Sequence, residues 1–343
     1  MQNFKNLLLK TSIPILIGMG VVAWLFFREF DIDDWKQIHW STHIVWSLSL
    51  AIVALCFREL GLMWRFRILS DNRLSWTATF RITLLCEFTS SITPTTAGGS
   101  ALSMVFMNRE GLSLGRATSI TMTTFLLDEA LFVILCPLVF ILVGKTKLFG
   151  FDPNTVESGI RAAYWVVWSG IVVITLLLFY GIILKPHIFK HFLMKVFSIG
   201  KLKRWMPKVD KMTDEMVITG KEIKKKNFIW WFKSSLATVS LWFSRFLVVN
   251  ALFFAFAEYA PQLVVFARQI VVWTLLSISP TPGGSGVSEW LFTTYYGDLL
   301  NDISIALVIA IFWRIITYYS YLIAGICILP SWFKKFRIKS DKL

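Results

Sequence analysis

The chain has 343 residues, 56% of them hydrophobic, with a mean hydropathy of +0.63 and a net charge of +14. This composition excludes a soluble globular enzyme domain. The excess of Lys and Arg does not indicate nucleic acid, because it gathers in a few polar stretches between long apolar runs, the pattern of a membrane protein's inner loops.

In chain order, apolar runs near the ~20 residues needed to cross a bilayer predict six full crossings. They fall at 11–28, 43–63, 117–144, 160–184, 228–257 and 303–329. No small-residue cleavage pattern follows the first run, so it reads as a retained helix rather than a signal peptide. Two further apolar segments, 78–107 and 262–297, are interrupted by related sequences. The first interruption is Ser91-Ile92-Thr93-Pro94-Thr95-Thr96-Ala97-Gly98-Gly99-Ser100, and the second is Ser277-Ile278-Ser279-Pro280-Thr281-Pro282-Gly283-Gly284-Ser285. Pro removes a backbone donor and Gly loosens the chain, so a helix breaks at each. A broken helix inside a bilayer is tolerated only where protein or a wet cavity satisfies the freed groups. At ~1.5 Å per residue, the arms reach about halfway through a ~30 Å core, which predicts two re-entrant pairs of half-helices. Short full crossings are the alternative.

The charges orient these elements. Residues 185–227 form a linker with twelve Lys or Arg against four acids, and the tail from 330 to 343 is also basic. With Arg65, Arg67 and Arg73, read as a loop after the second crossing, they belong on the cytoplasmic side, together with both termini. The acidic stretches Glu29–Lys36 and Asp152–Glu157 then fall outside. The halves, about 11–144 and 160–329, have the same element order in opposite orientation. This predicts an all-α polytopic membrane protein with an inverted-topology repeat and a midplane site, within one membrane domain spanning 1–343. The offsets agree: Arg58 and Arg245 are 187 positions apart, as are Arg81 and Arg268, while Asp128 and Arg314 are 186 apart.

Charges within a membrane usually line a cavity or pair. The second break followed by Glu289 is the strongest constellation, since a half-helix start presents free N–H groups to an anion such as phosphate. The candidate binding residues are Thr93, Thr95, Gly98, Gly99, Ser100, Ser279, Thr281, Gly283, Gly284, Ser285 and Glu289, with Arg245 and Arg314 as guanidinium partners for phosphate. Glu87, Asp128, Glu129 and Glu289 are candidates to couple protons or contact a cationic headgroup. Ordinary pairing stays open for each, including Arg314 with Asp128 or Glu129; Arg58 with Glu59, and Arg81 and Arg268, read as local pairs or interfacial side chains. Small-residue packing is the other reading of the glycines. Gly283-Gly284-Ser285-Gly286 also fits a serine pattern of intramembrane proteases, but His39, His43, His187 and His191 all fall in loops or at membrane ends, leaving no base within reach. No cysteine pair or His cluster completes a metal site, and no cofactor is expected.

At Pro280–Glu289 the sequence resembles the transmembrane domain family of lysylphosphatidylglycerol synthases and their stand-alone relatives. Thr281, Pro282, Gly283, Gly284, Gly286 and Glu289 match the family's Pro-Thr-Pro-Gly-Gly-x-Gly-x-x-Glu stretch. The first break followed by Arg109-Glu110-Gly111-Leu112-Ser113 is similar to its other block, and the resemblance spans roughly residues 10–330. It implies a domain that flips phospholipids, aminoacylated phosphatidylglycerol being the best known cargo. Where many members carry Glu and then Arg after the first block's Gly, this chain has Ser100 and Ser103, so no headgroup carries over. The expectation is therefore a flippase in the plasma (inner) membrane, without aminoacyl transfer or other catalysis. Its partners would be membrane phospholipids and coupling protons, with homo-oligomers left open. A transporter of a small soluble anion and a membrane scaffold are the alternatives.

Overall fold

A computed structural model describes residues 41–93, 97–150, 155–198, 203, 206–257, 259–279, 281, 283–284, 286–300 and 303–340. The expected crossing at 11–28 lies outside the described residues, as do Thr95 and Ser285 and the prolines Pro94, Pro280 and Pro282. For Gly98, Ser100 and Glu289 the backbone is described and the side chain is not.

Every regular element among the described residues is helical. Helix α1 spans Thr42–Leu69, and a hairpin follows, α2 (Trp76–Ile92) and α3 (Ala97–Arg109). Helix α4 runs over Leu114–Val143, and α5, Thr155–Phe179, is continued by a π-helical turn at Tyr180–Leu184. Within the linker lie α6 (Pro186–Phe197) and α7 (Met206–Lys224). The second half has α8 (Phe228–Phe256), a hairpin of α9 (Gln262–Leu276) and α10 (Val287–Tyr296), and α11 (Ile303–Arg314). A π-helical turn at Ile315–Tyr319 joins α11 to α12, Ser320–Ser340.

Helix starts are written locally. Ser41, Ser75, Ser113 and Asn227 cap α1, α2, α4 and α8, each side chain accepting from the amide three residues on, at 3.3, 3.2, 3.4 and 3.0 Å. Five helical stretches among the described residues are long and apolar enough to cross a membrane, matching five of the expected crossings: Thr42–Leu69, Leu114–Val143, Gly159–Leu184, Phe228–Phe256 and Ile305–Leu329. Their outward faces are apolar, with Trp46, Ile134, Ile141, Val166 and Leu177 exposed, whereas Arg58, Arg65, Arg268 and Arg314 are buried. Apolar outside and charged inside is the distribution expected when lipid is the solvent.

The two interrupted segments fold back as hairpins. Gly99 on α3 sits directly against the Cys86 carbonyl and Ser90 on α2, where no Cβ would fit. The open end of the first hairpin is held by Arg81 on Glu110, at 2.9 and 2.8 Å. That of the second is held by Arg268, which pairs with Asp298 and donates to the Tyr295 carbonyl and, at 2.8 Å, to the Lys147 carbonyl. The tips meet: the Gly283 amide donates to the Thr93 carbonyl at 3.2 Å, and the Tyr318 hydroxyl to the Ser91 carbonyl at 3.2 Å.

Helices α1 and α8 run antiparallel through the middle. A Cβ added at Gly61 would meet the Leu241 amide nitrogen at 3.1 Å, so the glycine suits a tight approach of the two helices. Each hairpin anchors its own apolar core. One gathers Phe66, Ile82, Leu85, Met107 and Ile120; the other gathers Phe246, Phe253, Val265, Val271, Phe292 and Tyr296. Arg65 and Arg67 correct the sequence reading, since both lie inside α1 rather than in a loop.

Candidate functional site

A cavity of about 170 Å³ opens where the hairpin tips meet α1, α4, α8 and the start of the π turn after α11. Its wall carries four arginines, Arg58, Arg65, Arg245 and Arg314, and three carboxylates, Glu87, Asp128 and Glu129. So many charges in a membrane-embedded space are stable only where counter-charges and hydrogen bonds replace lost water.

Arg58 and Arg65 are matched by described carboxylates. Arg58, 2% exposed, pairs with Glu59 on its own helix and with Glu87 on α2 at 2.5 Å, and donates to the Tyr321 hydroxyl. Tyr321 in turn donates to Glu59. Arg65 makes a bidentate pair with Asp128 at 2.5 and 3.2 Å and donates to Thr238 Oγ1 at 3.3 Å. The Trp242 indole completes Asp128 at 2.7 Å. Asp128 therefore answers Arg65 and not Arg314, which corrects the pairing considered from sequence. The i,i+7 spacing of Arg58 and Arg65 puts both on one face of α1 and is the signal that locates Arg65 inside the protein.

The other two face aromatic rings. The Arg245 guanidinium lies 3.7 Å from the centroid of Trp273 and 5.4 Å from that of Trp242, with no carboxylate in ion-pair range among the described residues. A cation over an indole face is held by the ring quadrupole, which leaves its N–H edge for an anion. Arg314 lies 4.6 Å from the Tyr318 ring and donates to the Gly283 carbonyl at 3.2 Å, joining α11 to the second tip. The π turn begins at the next residue, a distortion often found at functional positions.

The tips contribute backbone more than hydroxyls. Gly283, Gly284 and Gly286 have φ of +56°, +70° and +80°, the left-handed region that suits glycine, and α10 starts only at Val287. Gly283 and Gly284 line the cavity with Ser90, Ser91 and Ser277. Ser279 and Thr281 stand 3.0 Å apart, and Thr93 donates to the Thr89 carbonyl at 2.7 Å; these three fall outside the lining. Gly99 is taken up by packing between α2 and α3. Of the candidates, the fold brings Glu87, Asp128, Glu129, Arg245, Gly283, Gly284 and Arg314 to one cavity. Sequence reasoning missed Trp242, Trp273, Tyr318 and Tyr321, because aromatic residues are common throughout a chain of this composition.

The family model for the lysylphosphatidylglycerol synthase TM region matches residues 12–325. A UPF0104 membrane protein of Archaeoglobus fulgidus is 24% identical over 340 residues, covering 91% of this chain and 94% of the relative. No solved structure matches the chain.

Proposed function

The chain belongs to the lysylphosphatidylglycerol synthase transmembrane-region family, and from that premise and the cavity we propose that it moves a lipid with an anionic headgroup between membrane leaflets. The observation that carries the proposal is Arg245, a partly buried cation backed by two indoles and without a carboxylate partner among the described residues, at the wall of a cavity inside the membrane-spanning helices. A phosphodiester would supply the missing counter-charge through paired hydrogen bonds. Acyl chains would stay in the surrounding lipid, against the apolar outer faces.

In this reading the two halves are inverted repeats with both termini cytoplasmic in the plasma membrane. The antiparallel course of α1 and α8 and the matched hairpins support it. Access to Arg245 alternates as one hairpin and its flanking helices rock against the other, breaking and remaking the tip contacts. No covalent reaction is assigned to the site.

The test is leaflet transfer of fluorescent phosphatidylglycerol in proteoliposomes. Wild type is expected to equilibrate the probe between leaflets. Arg245→Ala is expected to slow this by at least about a hundredfold, the value of a charge-assisted contact of about 3 kcal/mol, while still eluting as a folded protein. Transfer by Arg245→Ala at the wild-type rate would remove the site. Uptake of a water-soluble phosphate compound without lipid transfer would favour a soluble-anion carrier.

A further inference from the structure

Four carboxyl groups stand at or beside the cavity among the described residues, and three are engaged. Glu59 and Glu87 are held by Arg58, and Asp128 by Arg65 and Trp242. Glu129 lines the same cavity, only partly exposed, and has no ion-pair or side-chain hydrogen-bond partner among the described residues. The charged groups around it come from several elements. Asp128 precedes it on α4; Arg58 and Arg65 are on α1, Glu87 on α2, Arg245 on α8, and Arg314 at the end of α11. Among the described residues, the other elements that line the cavity present no charge to it: Ser103 from α3, Ile171 from α5, and Trp273 and Thr274 from α9. Glu215 and Glu222 of α7 bond Gly115 and Arg116 at the start of α4, more than three turns away.

A carboxyl group in such a place takes up a proton more readily than a paired one, because no fixed cation among the described residues is paired with it. Buried hydroxyls also stand on α4 in the turns before Glu129: Thr118, Thr121 and Thr124. Ser103 Oγ and Thr121 Oγ1 are 2.8 Å apart, and Ser103 and Thr124 themselves reach the cavity wall.

We propose that Glu129 is the proton-binding group that couples lipid movement to a proton gradient. The inference rests on the transport reading above and adds its driving ion. A proton from water on one side forms an O–H bond to a Glu129 carboxylate oxygen, and the neutral acid later releases it to water on the other side; no electron changes hands. An anionic headgroup at Arg245 repels the charged form of Glu129 and so favours its protonation. By reciprocity, protonation favours headgroup binding. Lipid and proton therefore travel in the same direction.

The experiment uses vesicles of phosphatidylcholine doped with fluorescent phosphatidylglycerol, with the membrane potential clamped to zero by a potassium ionophore. For one proton per lipid, a gradient of one pH unit shifts the wild-type leaflet ratio about tenfold toward the alkaline side, and Glu129→Gln shifts it less than about twofold. This ratio does not depend on which way the protein inserts. Glu129→Asp keeps a carboxyl group and is expected to keep the response. A wild-type ratio that ignores the gradient while the probe equilibrates, or a wild-type shift in Glu129→Gln, overturns the proposal. Infrared titration of the purified protein separates this from failure of the transport reading. A protonated-carboxyl band lost in Glu129→Gln upholds the proton site even if wild type moves no lipid, an outcome that would sink the transport reading alone. An unchanged band overturns the proton site whatever the transport result.

Discussion

Arg65 and Asp128 illustrate what a single pair does in this protein. They come from α1 and α4, and each supplies the charge that makes the other's burial tolerable. Replacing Asp128 with Ala leaves Arg65 buried without its counter-charge, a loss of about 3–5 kcal/mol. Replacing both with Leu should recover most of that, because removing a pair also removes its desolvation cost. Thermal unfolding of the two variants in detergent checks the order; equal losses would show that Arg65 finds another partner. Arg245 should behave oppositely. No carboxylate among the described residues depends on it, so Arg245→Ala should unfold near the wild-type temperature while losing transfer.

The hairpins are the elements on which the site depends, and their two locks differ in burial. Arg81 is partly open to solvent, with 30% of its side chain exposed, whereas Arg268 is 1% exposed and serves two carbonyls as well as Asp298. Arg81→Ala should therefore cost about 1 kcal/mol or less, and Arg268→Ala about 3 kcal/mol or more. Comparing melting temperatures tests this, and a larger loss at Arg81 would contradict it. At the tip, Gly283 combines a positive φ with close approach: an added Cβ would meet the Ser91 carbonyl at 2.9 Å and crowd the Tyr318 ring. Gly283→Ala should cost about 1–2 kcal/mol from backbone strain alone and push the tips apart. Transfer should fall more than stability does, read as initial rate against melting temperature.

At the level of the whole molecule, the fold places a charged cavity between two hairpins whose tips touch, within helices whose outer faces are apolar. If the hairpins approach from opposite sides of the membrane, the loops leading into them are reachable from opposite sides. Arg73 in the turn before α2 and Tyr259 before α9 are both exposed, Tyr259 at 98%. In a background without Cys56, Cys86, Cys136 and Cys327, Arg73→Cys should react with an impermeant maleimide only from the cytoplasm, and Tyr259→Cys only from outside. Labelling of both from one face would rule out the inverted arrangement and with it the alternating route.

Much of this architecture is legible in the chain. Hydropathy and chain length locate the crossings, since a bilayer demands a minimum apolar length whatever the neighbours are. The Pro and Gly residues mark both breaks, since helix disruption is a local backbone property. Arg81 and Arg268, 187 positions apart, read from the sequence as local pairs or interfacial side chains, and each closes one hairpin. The partners are another matter. Charge counting assigns Arg65 to a loop because it weighs an arginine by its position near the end of an apolar run. The fold buries it because Asp128, 63 residues away, arrives on an adjacent helix. Glu129 and Asp128 are neighbours of the same chemical type, and only the packing of α1 and α8 against α4 gives one of them a cation and leaves the other facing the cavity. Where a helix forms is decided by contiguous residues and the solvent, whereas which charges are neutralised depends on distances between helices that no local pattern encodes.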